Sequence, residues 1–189
     1  MTPRKDSDMF SLMFRAIYKL QDLLMRFELR YANPGRIKYL IANAPQISQR
    51  RAAMRALGVQ LGQDVSVNPG VRVNMDNPKQ AKLIIGDRVS IAVGVSFICN
   101  SGPNSRSHLH HIPYVEQNLM HHEKPITVGD DSWIGAGAII LPTVTIGKGV
   151  IIGANSLVRK DCPDYTVWAG VPAKQVRDLR ATEGFVEPK

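Results

Sequence analysis

The chain has 189 residues, of which 44% are hydrophobic and 21% charged, with a net charge of +8, the composition of a soluble globular domain with a modest appendage. Two cysteines are too few for a disulfide framework and fit reduced thiols in a cytoplasmic protein. No apolar run of eighteen residues offers a membrane span, and the opening MTPRKDSD is not a secretory signal.

The charge is unevenly placed. Residues 1–58 hold eleven Lys and Arg against four Asp and Glu, whereas residues 59–189 hold thirteen against twelve. An excess of this kind suits an anionic partner, such as a lipid surface or a charged glycan carrier in preference to nucleic acid, or simply a solvated helix face. Within this basic, helical N-terminal region, Phe10, Met13, Ile17, Leu20, Leu24, Phe27 and Tyr31 recur at alternating steps of three and four, which aligns them on one stripe of a helix over 9–31. Such a stripe has to be covered by the rest of the protein, by a neighbouring subunit, or by a membrane interface contacted through residues 9–31. Asn33-Pro34-Gly35 ends the helix, and two shorter helical stretches, about 36–43 and 46–57, follow on either side of Pro45.

From Leu61 the period becomes six. Leu61, Val67 and Val73 form one run, Ile85, Ile91 and Phe97 the next, the step at Lys79 being broken; Val128, Ile134, Ile140, Ile146, Ile152 and Val158 form an unbroken second register. A small or β-branched residue stands four places after the markers, from Val65 to Ser156, and a glycine follows directly at Gly62, Gly86, Gly129, Gly135, Gly147 and Gly153, where backbone freedom at a tight corner is expected. A sixfold period fits neither a helix nor a hairpin. It fits a solenoid in which each unit makes one flat side and one corner, three units closing a coil. The region 59–170 is therefore read as a parallel β-helix and 171–189 as a C-terminal tail.

Residues 99–125 lack the pattern and read as an excursion from the coil, of a length that is usually functional or disordered. It carries every histidine of the chain: His108, His110, His111, His121 and His122. Imidazole is suited to proton transfer near neutral pH. Metal ligation by the clusters, or plain solvation, are the competing readings, and the spacing matches no zinc motif.

The stretch WIGAGAIILPTVTIGKGVIIGANSLVRKD, 133–161, and VWAGVPAKQVRDL, 167–179, resemble the hexapeptide-repeat acyltransferases, closest to the galactoside, maltose and polysaccharide O-acetyltransferases. The resemblance implies a mainly β fold, a left-handed parallel β-helix of hexapeptide repeats, assembled as a homotrimer with active sites between subunits. It also implies acetyl-CoA as donor, with a loop histidine deprotonating an acceptor hydroxyl and no metal required. Its T-G-H-P-x-H-H motif is approached here by Ser107-His108 with His110 and His111, so the base is sought first at His108, then at His110, then at His111. The residues Asn104–Arg106 interrupt the match. Carried over residue by residue, Trp133, Gly135 and Ala154 fall at positions beside the pantetheine arm, and Arg159, Lys160, Lys174 and Arg177 at those meeting the CoA phosphates. Asn74 and Asp76 fall near positions that hold acceptor hydroxyls. Thr143 stands where the family often has glycine.

The reading is an acetyl-CoA-dependent O-acetyltransferase acting on a sugar or cell-envelope polysaccharide, cytoplasmic and against the inner membrane surface. The alternatives are a xenobiotic (antibiotic) O-acetyltransferase, a metal-dependent enzyme of the γ-carbonic-anhydrase type using three histidines, and a scaffold without catalysis.

Overall fold

The computed structural model describes residues 4–75, 82–104, 106–117 and 124–187, with backbone alone for residues 4–11 and for His110. Asp76, Lys79, His121 and His122 therefore lie outside the described residues or side chains. Three helices lead the chain: α1 (Arg4–Tyr31), α2 (Pro34–Asn43) and α3 (Ile47–Ala56). The Asn-Pro-Gly that ends α1 also starts α2. The Asn33 side chain accepts the Arg36 N–H at 2.9 Å, and Pro34 opens the helix where no amide hydrogen is needed.

The coil follows in four turns of three short strands. They are β1 (Gln60–Leu61), β2 (Ser66–Val67) and β3 (Arg72–Asn74); β4 (Leu83–Ile85), β5 (Ser90–Ile91) and β6 (Ser96–Ile98); β7 (Ile126–Val128), β8 (Trp133–Ile134) and β9 (Ile139–Ile140); and β10 (Thr145–Ile146), β11 (Ile151–Ile152) and β12 (Leu157–Val158). All pair in parallel with the turn above and below, giving three walls. Register stacks the sixfold markers in columns: Leu61, Ile85, Val128 and Ile146 on the first wall, Val67, Ile91, Ile134 and Ile152 on the second, Val73, Phe97, Ile140 and Val158 on the third. All but Leu61 are buried, and so are the residues four places on, from Val65 to Ser156. Each buried aliphatic contributes about 1.5–3 kcal/mol, so this axis is the main source of stability. The mainly β, parallel-coil architecture expected from the period is the one observed.

The two breaks in the period are insertions between walls. Val73 and Ile85 are on consecutive walls yet twelve residues apart, and the added stretch includes Lys79. Ile85 pairs with Val128 across 43 residues, where the next turn, Val128 to Ile146, takes eighteen.

The glycines differ from expectation. The left-handed corner falls three places after a marker, at Gly70, Gly94, Gly137 and Gly149 but also at Asp64, Arg88, Asp131, Thr143 and Asn155, and in the shortened last turn at Tyr165, three places after Cys162. The glycines directly after a marker serve close approach between turns. A Cβ on Gly135 would sit 2.5 Å from the Ile152 carbonyl oxygen, and one on Gly129 2.6 Å from the Gly147 carbonyl carbon.

Both ends of the solenoid are closed, as open apolar ends require. α2 and α3 lie over the first turn, burying Ile37, Leu40, Ile41, Met54 and Leu57. Arg50, also buried, donates from Nε to the Val67 carbonyl at 2.8 Å and from its terminal nitrogen to the carbonyls of Ala44 and of Pro45, the latter at 3.0 Å. At the other end the stretch read as a tail holds a strand: β13 (Thr166–Gly170) pairs in parallel with β11 and turns back antiparallel to β14 (Ala173–Asp178). Trp168, in register with Ile152, packs partly buried under the core.

Candidate active site

The excursion leaves the third wall after β6. The Asn74 amide donates to the Asn100 carbonyl at 3.1 Å and the Cys99 N–H to the Asn74 carbonyl at 2.9 Å, so Asn74 ties the loop's base to the coil. Asn104 makes a tight turn by accepting the Arg106 N–H at 2.9 Å through its side chain and the Ser107 N–H at 2.8 Å through its carbonyl. The bonds from Arg106 and Ser107 back to Asn104 hold the entry to the histidine turn. The Ser107 hydroxyl accepts the Leu109 N–H at 3.2 Å and caps a 3-10 turn, His108–His111, followed by a helical turn at Pro113–Val115. His108, His110 and His111 therefore share one turn, with the side chains of His108 and His111 exposed. Between this loop and the corner after β9 runs an apolar groove lined by Ile98, Pro103, Leu109, Val115, Leu141 and Pro142, of about 630 Å³.

The positions assigned to the donor divide between two places. On the outer face of the second wall, register aligns Ser90, Trp133, Ile151, Val167 and Arg177 in one column. Trp133 is 55% exposed, and at about 4.8 Å per strand it stands some 14 Å from Arg177 along the coil axis. Gly135 is behind this face, its missing side chain replaced by the neighbouring turn's backbone rather than by open space. Ala154 is exposed at the next corner. The second place is a cleft of about 230 Å³ at the end of the coil, lined by Arg159, Lys160 and Lys174 together with Trp168, Pro172 and Gln175. Arg177 does not line it. Trp168 and Gln175 were not among the residues singled out from sequence. Trp168 hides because the last turn is shortened: Ile146 meets Cys162, sixteen residues on instead of eighteen, so the marker series no longer points to it.

Neither thiol suits a nucleophile. Burial pushes Cys99 and Cys162 up to about 12, and both are inside the core, so neither is a thiolate near neutral pH. Among the described residues no three His, Cys, Asp or Glu side chains stand close enough to hold a metal ion.

Comparison with known proteins agrees with this geometry. Residues 125–160 match the family model "Bacterial transferase hexapeptide (six repeats)". The chain is 27% identical over 177 residues to galactoside O-acetyltransferase of Escherichia coli K12, covering 85% of this chain and 79% of that one. To the putative colanic acid biosynthesis acetyltransferase of the same organism it is 28% identical over 165 residues, 76% and 84% of the two chains. Against a chloramphenicol acetyltransferase of Morganella morganii the identity is 36% over 107 residues, about half of either chain (51% and 51%). A hexapeptide-repeat acetyltransferase of Vibrio cholerae, solved in complex with acetyl coenzyme A, superposes with a TM-score of 0.51 at 29% identity over 77% of this chain and 85% of that one. In coil, loop and matches the chain is similar to the hexapeptide-repeat family of acetyltransferases. Within it, the sugar and polysaccharide O-acetyltransferases named above align over most of their own length.

Proposed function

We propose that the protein transfers an acetyl group from acetyl-CoA to a hydroxyl of a sugar in a cell-envelope polysaccharide. It would work as a homotrimer in the cytoplasm, at the inner face of the membrane. The observation that carries the reading is one coil bearing both a three-histidine turn and a three-cation cleft. Arg159, Lys160 and Lys174 can meet several phosphate oxygens at once, which single surface cations cannot. The column from Trp133 to Arg177 gives an extended pantetheine arm a track parallel to the coil axis, with Ala154 at its edge. Asn74, at the root of the loop, and Asp76 beyond it are assigned to the acceptor.

His108 is the assigned general base, with His110 and His111 next to it on the same turn. It takes the proton of the acceptor hydroxyl as that oxygen attacks the thioester carbonyl. The tetrahedral intermediate collapses with cleavage of the C–S bond, and the coenzyme leaves as thiolate and recovers the proton. Base catalysis supplies about 10²–10⁴-fold and alignment of the two substrates much of the remainder. The inert thiols fit direct transfer without an acetyl-cysteine. His108→Ala is expected to lower kcat by about 10²–10⁴-fold on a sugar acceptor with the KM for acetyl-CoA little changed. Undiminished turnover in that variant, and loss in His110→Ala, moves the base to His110.

The apolar groove beside the histidine turn favours a second reading, a hydrophobic hydroxylated xenobiotic as acceptor. A panel of glycans and aryl alcohols, ranked by kcat/KM, separates the two: preference for the aryl alcohols by more than tenfold selects the second.

A further inference from the structure

We propose that the outward face of α1 is a docking surface for an anionic phospholipid bilayer, by which the helix lies in the plane of the interface and holds the coil against it. The proposal rests on the membrane location proposed above and deepens it, by naming the face and the lipid chemistry.

α1 meets the protein through the face next to its apolar stripe and not through the stripe itself. Met25 is 6% exposed and Leu29 packs against the core, and the polar bonds between helices are on the same side: Gln46 to Gln21 at 3.0 Å, Ser48 to Asp22 at 3.3 Å, Arg36 to Glu28 at 2.6 Å. The stripe itself, Met13, Ile17, Leu20, Leu24, Phe27 and Tyr31, remains 42–72% exposed. It continues on a segment without packing of its own. Residues 12–20 are exposed throughout, and among the described residues the hydrogen bonds from α1 to the body begin at Gln21. At about 1.5 Å per residue, residues 12–20 alone carry about 14 Å of exposed helix. A helix of that length is marginal alone in water, so the stripe calls for a cover.

Charge decides which cover. Arg15, Lys19, Arg26 and Arg30, spaced four, seven and four, line one flank of the stripe. Among the described residues none of them is in an ion pair, whereas the acids Asp22 and Glu28 are turned to α3 and α2. Over residues 12–31, two copies pairing stripe to stripe would bring these cations together, since the acids of that span, Asp22 and Glu28, are engaged with α3 and α2. A bilayer with anionic headgroups provides the counter-charge to the row and an apolar layer to the stripe at the same time. Tyr31 and Phe27, with ring centroids 5.3 Å apart, are suited to the headgroup boundary. No helix among the described residues is long and apolar enough to cross a membrane, so α1 lies on it.

The test is flotation of the full chain with phosphatidylcholine vesicles containing about 30 mol% phosphatidylglycerol, and with pure phosphatidylcholine vesicles. Binding is expected to be at least about tenfold stronger to the anionic vesicles, to weaken with added salt, and to fall about tenfold or more in Ile17→Glu/Leu20→Glu and in the variant with Arg15, Lys19, Arg26 and Arg30 all changed to Gln. Both side-chain sets are free of packing, and circular dichroism together with turnover of a soluble acceptor checks that the coil is intact. Equal binding by wild type and variants, or no preference for anionic vesicles, overturns the proposal. So does concentration-dependent assembly that Ile17→Glu/Leu20→Glu abolishes in the absence of vesicle binding, which assigns the face to a second copy. Vesicle binding without acetyl transfer refutes the proposed reaction and leaves this surface standing; the converse result leaves the reaction standing.

Discussion

Thr143 holds φ at 66°, in the left-handed region, with an exposed β-branched side chain. Other non-glycine corners use Asp64, Asp131 and Asn155, whose short polar side chains tolerate that conformation. Thr143 has no such relief, and the conformation costs about 1–2 kcal/mol. Thr143→Gly is expected to raise stability by about 1 kcal/mol, the gain reduced by glycine's greater freedom when unfolded. Denaturant melts measure it, and an unchanged or lower midpoint shows the corner to be unstrained. The position was legible as a place where relatives carry glycine. The reason, a left-handed corner three residues after most markers, was not, because the eye is drawn to the glycines that follow markers directly.

At the scale of elements, turns of the coil are joined by carboxylates as well as by backbone. The Asp87 side chain accepts the Gln63 N–H, Asp130 the Asp87 N–H and Asp164 the Lys148 N–H, each at 2.8 Å. Between the second and third turns Arg88 grips both oxygens of Asp131, at 2.6 and 2.9 Å. That hydrogen-bonded pairing holds the Asp131 carboxyl below its usual range. Its contribution is therefore present above the unfolded pKa of about 3.9 and lost as pH falls through the lower folded value. Asp131→Asn should melt below wild type by a constant interval above about pH 5, the interval closing in stronger acid. Heat scans along a pH series check this, and a gap that persists in strong acid assigns the loss to packing. None of these ladders is readable from spacing alone, since partners lie 24 and 43 residues apart.

The whole molecule depends on how the helical region is joined to the coil. Arg50 sits at that junction, buried without an acid beside it, its charge spread over the carbonyls of Ala44, Pro45 and Val67, and burial lowers its pKa. Arg50→Met keeps most of the volume and orphans these buried carbonyls, at a cost of about 3 kcal/mol. A loss of less than about 1 kcal/mol in equilibrium unfolding would mean that water replaces the guanidinium. In the sequence Arg50 reads as one of eleven basic residues of the first third; only the tertiary structure separates it from the exposed row on α1.

What the sequence determined alone is whatever repeats over a short range. A marker every six residues dictates one wall and one corner irrespective of distant partners, so the coil and the histidine-bearing loop were readable from 189 letters, whereas the stretch between Val73 and Ile85 read only as a broken step. The stripe of α1 was equally plain, being a property of helical geometry. Which side of α1 meets the body was decided by tertiary structure, because Met25 and Leu29 win the contact through the shape of α2 and α3. The same holds for the tail that became β14, whose pairing with β13 depends on a shortened last turn, and for the meeting of Arg159 and Lys160 with Lys174. These contacts join residues whose neighbours are set by stacking and chain reversal, and no local period encodes either.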